Sequence, residues 1–344
     1  MHPPARDRDH VLAHTTGVWD ELRDARIFLT GGTGFFGCWL LESWRWASER
    51  MDMNASITVL TRSADAFRRK APHLGSHWSI RLVEGDVRSF RLPSARYTHV
   101  IHMASDATPQ LCVEQPLLVL DTIVDGTRRV LDLAVESGAK RLLFASSGAV
   151  YGPQPAGMSH IPETYTGGPN LAEQRNVYAE AKRTAEMLCT AYGRQFDLRC
   201  IPARCFAFAG PYLPMNAHFA FGNFVRDRFD GRPIRVNGDG TAVRSYLYAA
   251  DLAIWLWTLL VAGVPGRPYN VGAERAVSVA ELACMVAGDG TVEIAGTPTA
   301  GRLPERYVPS CERARSELNL TERIPLEEAI CRTMPVRQVK EEMS

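Results

Sequence analysis

The apolar positions of the chain follow two alternating periods. Short runs rich in β-branched and aromatic residues at 27–29, 56–60, 80–83, 97–103, 141–144 and 198–203 predict buried strands. Between them, apolar residues spaced three and four apart predict helices over 35–51, about 111–137 and about 171–195. Strands that alternate with helices predict an α/β fold, a doubly wound parallel sheet covered on both faces. Past Asp197 the rhythm loosens into a loop over 207–222 rich in Gly, Pro and aromatics. Short elements follow at 233–236, 244–248 and 269–272, with helices over 250–261, 278–286, 312–318 and 326–332. This half predicts a smaller α/β domain over the carboxyl ends of the strands, where open α/β sheets bind ligands. The expected division is an N-terminal arm at 1–24, packed outside and given no chemistry, a dinucleotide-binding domain at 25–205 with return segments from the C-terminal half, and a substrate domain at 206–335.

Bulk composition narrows the classes. A chain of 344 residues suits one large domain or two coupled ones. A formal net charge of +1 gives no pointer to nucleic acid or to an anionic membrane. No apolar run reaches the roughly 20 residues that span a bilayer, and the polar start lacks the apolar centre of a signal peptide. Eight cysteines without a C-x-x-C pair read as buried free thiols, among them Cys38, Cys189, Cys200 and Cys284, which fits a reducing cytoplasm. No metal is expected.

Three stretches carry chemistry. Gly31, Gly34 and Gly37 join the first strand to the first long helix, a turn through which backbone and helix N-terminus approach a pyrophosphate. Their spacing is Gly-x-x-Gly-x-x-Gly, not the usual Gly-x-Gly-x-x-Gly. Tyr178 and Lys182, four apart on a helix, share one face; a lysine ammonium beside a phenol favours the phenolate and lowers its pKa. Ser146-Ser147-Gly148-Ala149-Val150-Tyr151-Gly152 ends the fifth strand, where a hydroxyl could hold a substrate oxygen while Tyr178 moves its proton.

These stretches, in this order and with Arg244-Ser-Tyr-Leu-Tyr-Ala-Ala-Asp251 behind them, resemble the extended short-chain dehydrogenase/reductase family, in its nucleotide-sugar epimerase/dehydratase branch. The similarity covers roughly residues 25–330. It implies a Rossmann domain that binds NAD(P), a nucleoside-diphosphate sugar as substrate, and a homodimer formed through the two long helices. By the same resemblance, Tyr178 is the acid/base, Lys182 its partner and a holder of the nicotinamide ribose, and Ser147 the hydroxyl that binds the reacting oxygen. Gly31, Gly34, Phe35, Phe36 and Gly37 match the pyrophosphate turn, Asp86 and Val87 the adenine bracket, and Ala104 a passing strand end. Arg244 and Arg302 match arginines on the diphosphate, a role suited to the guanidinium fork.

The departures are informative. After the second strand stand Thr61 and Arg62, where NAD-type members have an acid for the ribose. With a cation and no carboxylate there, NADP is favoured over NAD. Gly148 and Ala149 replace the Asp-Glu of the dehydratases and the Glu of the decarboxylases, so proton transfers for elimination lack their carriers. Ala207 replaces a substrate asparagine, leaving Asn216, His218 and Asn223 as substitutes, with Asn223 taken as a substrate residue. The expected reaction is hydride transfer at the sugar, at C4, as a 4-epimerase; a 4-keto-sugar reductase using NADPH and then a 4,6-dehydratase are the alternatives. A non-enzymatic nucleotide sensor competes from another class, but would not need Ser147, Tyr178 and Lys182 together.

Overall fold

A computed structural model describes residues 2–215, 219–301 and 303–334. Its centre is a parallel sheet of seven strands: β1 (Arg26–Thr30), β2 (Ser56–Thr61), β3 (Ile80–Glu84), β4 (His99–His102), β5 (Arg141–Ser147), β6 (Arg199–Cys205) and β7 (Tyr269–Val271). The spatial order is β7-β6-β5-β4-β1-β2-β3. Strand order reverses between β1 and β4, which pair in parallel with Thr30 opposite His102. At such a reversal the connecting segments part, and a crevice opens beyond the strand ends.

Helices cover both faces. Ala5–Ala13 (α1), Thr16–Glu21 (α2), Phe35–Ser48 (α3) and Ala249–Ala262 (α6) pack together on one side. Pro116–Ser137 (α4) and Val177–Phe196 (α5) pack against each other on the other side. The small residues Ala179, Ala181 and Ala185, all buried, let α5 approach closely. The expected helix over 111–137 is broken: Pro109–Glu114 ends at Gln115 and α4 begins at Pro116. Proline lacks an N–H and pushes the residue before it out of the helical region. Gly138, at φ +79, closes α4 in the left-handed conformation.

The N-terminal arm corrects its expectation, because it is core and not an outer strap. Trp19 is fully buried between Trp44 and Trp257, with ring centroids 6.4 and 5.3 Å away. Asp7, also fully buried, accepts from Tyr248 at 2.6 Å and pairs with Arg332. A large indole on an amphipathic turn has more to gain inside a tryptophan cluster than in water. All eight cysteines are free, but Cys284 and Cys331 are exposed, so the buried reading fails for Cys284.

Beyond β6 the chain makes small sheets. Phe208–Ala209 pairs with Leu247–Tyr248. Val243–Arg244 lies between Val277–Ser278 and Arg306–Tyr307, and Ile234–Val236 pairs with Val292–Ile294. The second of these sheets carries Arg244 and Tyr307 to the carboxyl end of β5. Among the described residues, no helix is long and apolar enough to cross a membrane.

Candidate active site

The glycine turn is built for a close neighbour. Gly31 has φ +72, and a Cβ there would lie 2.6 Å from the Met103 carbonyl carbon. At Gly37 a Cβ would lie 2.3 Å from the Cα of Gly32, so the helix seats directly on the turn only without a side chain. Gly34 is exposed and begins α3 with no side-chain cap, which leaves the first-turn N–H groups of Phe35, Phe36 and Gly37 free for an anion. Lys70 donates to the Thr33 carbonyl at 2.7 Å and brings a cation to the rim. Below the turn, His102 lies between the Thr30 hydroxyl at 2.7 Å and the Thr127 hydroxyl at 3.0 Å. Burial pushes His102 down to about 3, so it is neutral and fixes Thr30 Oγ1, which accepts the Ala104 N–H at 3.2 Å.

The strand ends beside the turn carry the remaining candidates for a dinucleotide. Val87 is buried against Gly126, and Ala104 is half-buried. The Asp86 carboxylate holds Arg88 through two bonds, at 2.9 and 2.8 Å, and this guanidinium keeps it down at about 2. Arg62 is exposed and pairs with Asp106 at 2.9 Å. This changes the argument for the cofactor. No acidic residue adjoins Arg62 in sequence, and Asp65 pairs with Arg68, but the fold delivers a carboxylate from the loop after β4.

The hydroxyl centre forms where β5 ends. Ser147 caps a short turn, Gly148–Tyr151, and its Oγ accepts the Ala149 N–H at 3.2 Å. It faces the Tyr178 phenol, which α5 presents from its first turn. Ser146 is spent elsewhere: its hydroxyl donates to Glu186, which Arg204 clamps at 3.0 and 2.7 Å. Lys182 is buried, donates to the Ala145 carbonyl at 2.7 Å and lies 5.9 Å from the Tyr178 ring. One lysine proton is thus committed and two remain for another partner.

The electrostatics overturn one expectation. Tyr178 is not lowered; burial pushes it up to about 12, with only the Ser147 hydrogen bond opposing. The same burial pushes Lys182 down to about 8. Desolvation disfavours each charged form, and here it outweighs the attraction that a spacing of four suggests.

Arg244 stands one ring away. Its guanidinium lies 5.8 Å above the Tyr307 ring and pairs with Glu305 at 2.7 Å. Asn223 is half-buried in the first turn of the helix Ala220–Phe229. Arg302, Asn216 and His218 lie outside the described residues. Tyr307 itself is a residue that sequence reasoning missed, and its hydroxyl lies 3.5 Å from Ser147 Oγ. No local motif marks it. Two carboxylates that follow the Gly148–Ala149 turn along the chain are both engaged: Glu163 accepts the Asn270 N–H at 2.9 Å, and Glu173 accepts from Arg175 at 2.7 Å. Among the described residues, no group of three or more His, Cys, Asp or Glu side chains is placed to hold a metal.

Known proteins resemble this chain over most of its length. The chain is 31% identical over 313 residues to UDP-glucuronic acid decarboxylase 1 of Xenopus tropicalis, covering 90% of this chain and 71% of that one. It is 28% identical to UDP-glucuronic acid decarboxylase 5 of Arabidopsis thaliana, over 89% of this chain and 87% of the other. Among solved structures, the dTDP-glucose 4,6-dehydratase of Streptomyces venezuelae with NAD and TYD bound superposes with a TM-score of 0.76 at 23% identity, covering 90% and 95% of the two chains. The UDP-glucose 4-epimerase of Thermotoga maritima with UDP-glucose superposes at 0.73 and 20%, covering 90% and 97%. A sequence profile of the NAD dependent epimerase/dehydratase family matches residues 27–272, and the chain belongs to that family.

Proposed function

We propose that this protein is an NAD(P)-dependent enzyme that transfers hydride at a hydroxyl-bearing carbon of a nucleoside-diphosphate sugar, at C4, without elimination. The observation that carries the reading is the hydroxyl pair Ser147 and Tyr178 beside buried Lys182, next to a Gly148–Ala149 turn that offers no carboxyl group. NAD(P) when bound supplies the hydride acceptor or donor. The glycine cradle and the free first-turn N–H groups fit its pyrophosphate, and the two uncommitted Lys182 protons fit its ribose. Ser147 holds the sugar oxygen, and Tyr178 takes or gives its proton. Arg244 suits the diphosphate, and Asn223 and Arg302 are proposed to complete the substrate contacts. Arg62 is proposed as the discriminating side chain for NADP, with Asp106 opposing it.

Within this reading a 4-epimerase is favoured over a ketoreductase. A second reading, decarboxylation of a UDP-uronic acid, draws support from the 31% identity to a UDP-glucuronic acid decarboxylase. Against it, Ala149 cannot move a proton, and Glu163 is bonded to the Asn270 backbone. A homodimer is proposed through α4 and α5. Ile123, Val130 and Leu131 serve this chain's own core, so the contact falls to the exposed Leu117 on α4 and Met187 on α5. The test is incubation with UDP-glucose, UDP-galactose and UDP-glucuronate in the presence of NAD or NADP. Products should keep their mass or change by two hydrogens. A product lighter by water or by carbon dioxide, formed at the order of 1 s⁻¹ or faster, overturns the proposal.

A further inference from the structure

Tyr178, Lys182 and Glu186 follow one another at intervals of four along α5, so they share a face of the helix. The first two belong to the proposed chemistry; the third has no part in it. All three meet the carboxyl end of β5. Tyr178 faces Ser147, Lys182 donates to the Ala145 carbonyl at 2.7 Å, and Glu186 accepts from the Ser146 hydroxyl. The Glu186 contact also extends to the next strand. Arg204 lies directly opposite Ser146 in the pairing of β5 with β6. Its guanidinium grips both carboxylate oxygens of Glu186, one from Nε at 3.0 Å and the other from Nη2 at 2.7 Å. One carboxylate is therefore bonded to two neighbouring strand ends.

Side chains along a strand alternate between its two faces. Leu142 and Phe144 belong to the core that α4 and α5 cover, whereas Leu143 and Ala145 belong to the core on the opposite face. Ser146 is thus the last side chain of β5 directed at α5, and Ser147 leaves that face. Alignment of the Ser147 hydroxyl with the Tyr178 phenol consequently depends on where the backbone at 146–147 is held. The Arg204–Glu186 pair is mostly buried, its side chains 15% and 14% exposed. Buried charge is a poor source of stability beside apolar packing, but a two-point guanidinium–carboxylate contact fixes geometry. We propose that Glu186 is a positioning residue: through Ser146 it pins the end of β5 to α5 and β6, and so sets how Ser147 and Tyr178 meet the reacting sugar oxygen. Each donor in this arrangement has its own acceptor, the Ser146 proton on one carboxylate oxygen and separate Arg204 N–H groups on the two oxygens. This inference rests on the hydride-transfer reading of Ser147 and Tyr178.

Two measurements on the full chain with NAD test the idea. Ser146→Ala removes one oxygen and leaves the Arg204–Glu186 pair, whereas Glu186→Gln keeps the side chain's size and removes its charge. Leu133→Ala, buried near the C-terminal end of α4, is the control for general loosening of the same core. In the first measurement, kcat and KM are taken for whichever of UDP-glucose, UDP-galactose and UDP-glucuronate the wild type converts. Both Ser146→Ala and Glu186→Gln should lower kcat about 10–100-fold, with KM and the NAD dissociation constant unchanged within twofold. The double variant should lose about as much as the worse single one, because the two side chains act as a unit. The second measurement needs no sugar. Protein labelled with ¹³Cζ-tyrosine is observed by NMR with NAD bound, the Tyr178 signal being the one lost in Tyr178→Phe. That signal should shift or broaden in Ser146→Ala and in Glu186→Gln, and keep its wild-type position in Leu133→Ala. The proposal is overturned by wild-type kcat in either variant, by losses that multiply in the double variant, by an unmoved Tyr178 signal in Ser146→Ala, or by equal changes in Leu133→Ala. Full activity of Tyr178→Phe would instead defeat the hydride-transfer reading, an outcome separate from these.

Discussion

Lysine 182 allows the chemistry of the site to be measured as stability. Burial holds it at about 8 in place of 10.5, and a displacement of that size corresponds to about 3 kcal/mol of destabilisation while the ammonium is charged. The sign follows from proton linkage. The folded-state value lies below the unfolded one, so the unfolded chain binds the extra proton between the two. Stability is whole above about 10.5 and is lost as pH falls through about 8. Lys182→Met removes the charge and keeps the bulk, but leaves the Ala145 carbonyl without its donor, which costs about 1–3 kcal/mol. The net change at pH 7.5 is thus a gain of about 0–2 kcal/mol, accompanied by loss of turnover. The sharper observable is the pH dependence of the gap between the two proteins. From pH 7.5 to 9.5 the wild type should recover about 2 kcal/mol relative to Lys182→Met. Urea unfolding followed by tryptophan fluorescence suits the measurement, since Trp19, Trp39, Trp44, Trp255 and Trp257 are all buried. A gap that stays constant between the two pH values refutes the claim that Lys182 carries a desolvation penalty.

Other outcomes follow from the same geometry. Tyr178→Phe should lower kcat by about 10²–10⁴-fold and leave cofactor affinity within a few fold, as read by calorimetric titration with NAD and NADP. Arg62→Ala should weaken NADP by about tenfold and NAD by less than twofold, while Asp106→Asn, which breaks an exposed ion pair worth about 1 kcal/mol or less, should tighten NADP only; equal effects on both cofactors contradict the assignment. Gly31→Ala places a Cβ against the Met103 backbone at a positive φ and should abolish dinucleotide binding, which a wild-type dissociation constant would disprove. Light scattering at micromolar concentration should report a dimer that Leu117→Glu converts to monomer; a monomeric wild type counts against it.

The strands and glycines were legible in the sequence because their cause is local. A run of apolar residues that ends in Thr-Gly-Gly-Thr-Gly-Phe-Phe-Gly can bury itself and turn in few ways, and β1 with α3 follows at nearly the expected bounds. Ser147 and Tyr178 were legible by spacing, and the structure places them facing one another. What spacing could not carry was solvent exposure. The pKa of Tyr178 depends on how much water the surrounding chain removes, and no pair of residues four apart encodes that. Nor could it carry meetings between distant segments. Asp106 reaches Arg62 across 44 residues, and Tyr307 reaches Ser147 across 160. The arm at 1–24 was misread for a related reason: Trp19 looks like any surface tryptophan until Trp44 and Trp257 converge on it.

The direction of the two shifts bears on which way the reaction starts. Burial keeps the Tyr178 proton on and eases the Lys182 proton off. In the free protein at neutral pH, Tyr178 is therefore an acid ready to give a proton to a ketone, and a poor base for an alcohol. Use of Tyr178 as a base requires something that stabilises the phenolate by several kcal/mol, because a pKa near 12 lies about five units above neutral pH. On the proposed reading, Ser147 supplies part of this as a donor, and positive charge brought in with an oxidised dinucleotide supplies more. The proposed function thereby couples base strength at Tyr178 to occupancy of the glycine cradle, so that a sugar bound without its cofactor would meet a neutral phenol and keep its proton. The same coupling makes alcohol oxidation rise with pH and ketone reduction nearly flat below pH 9. The two directions, measured separately with the same sugar, must show that asymmetry if desolvation of Tyr178 is the dominant force at the site.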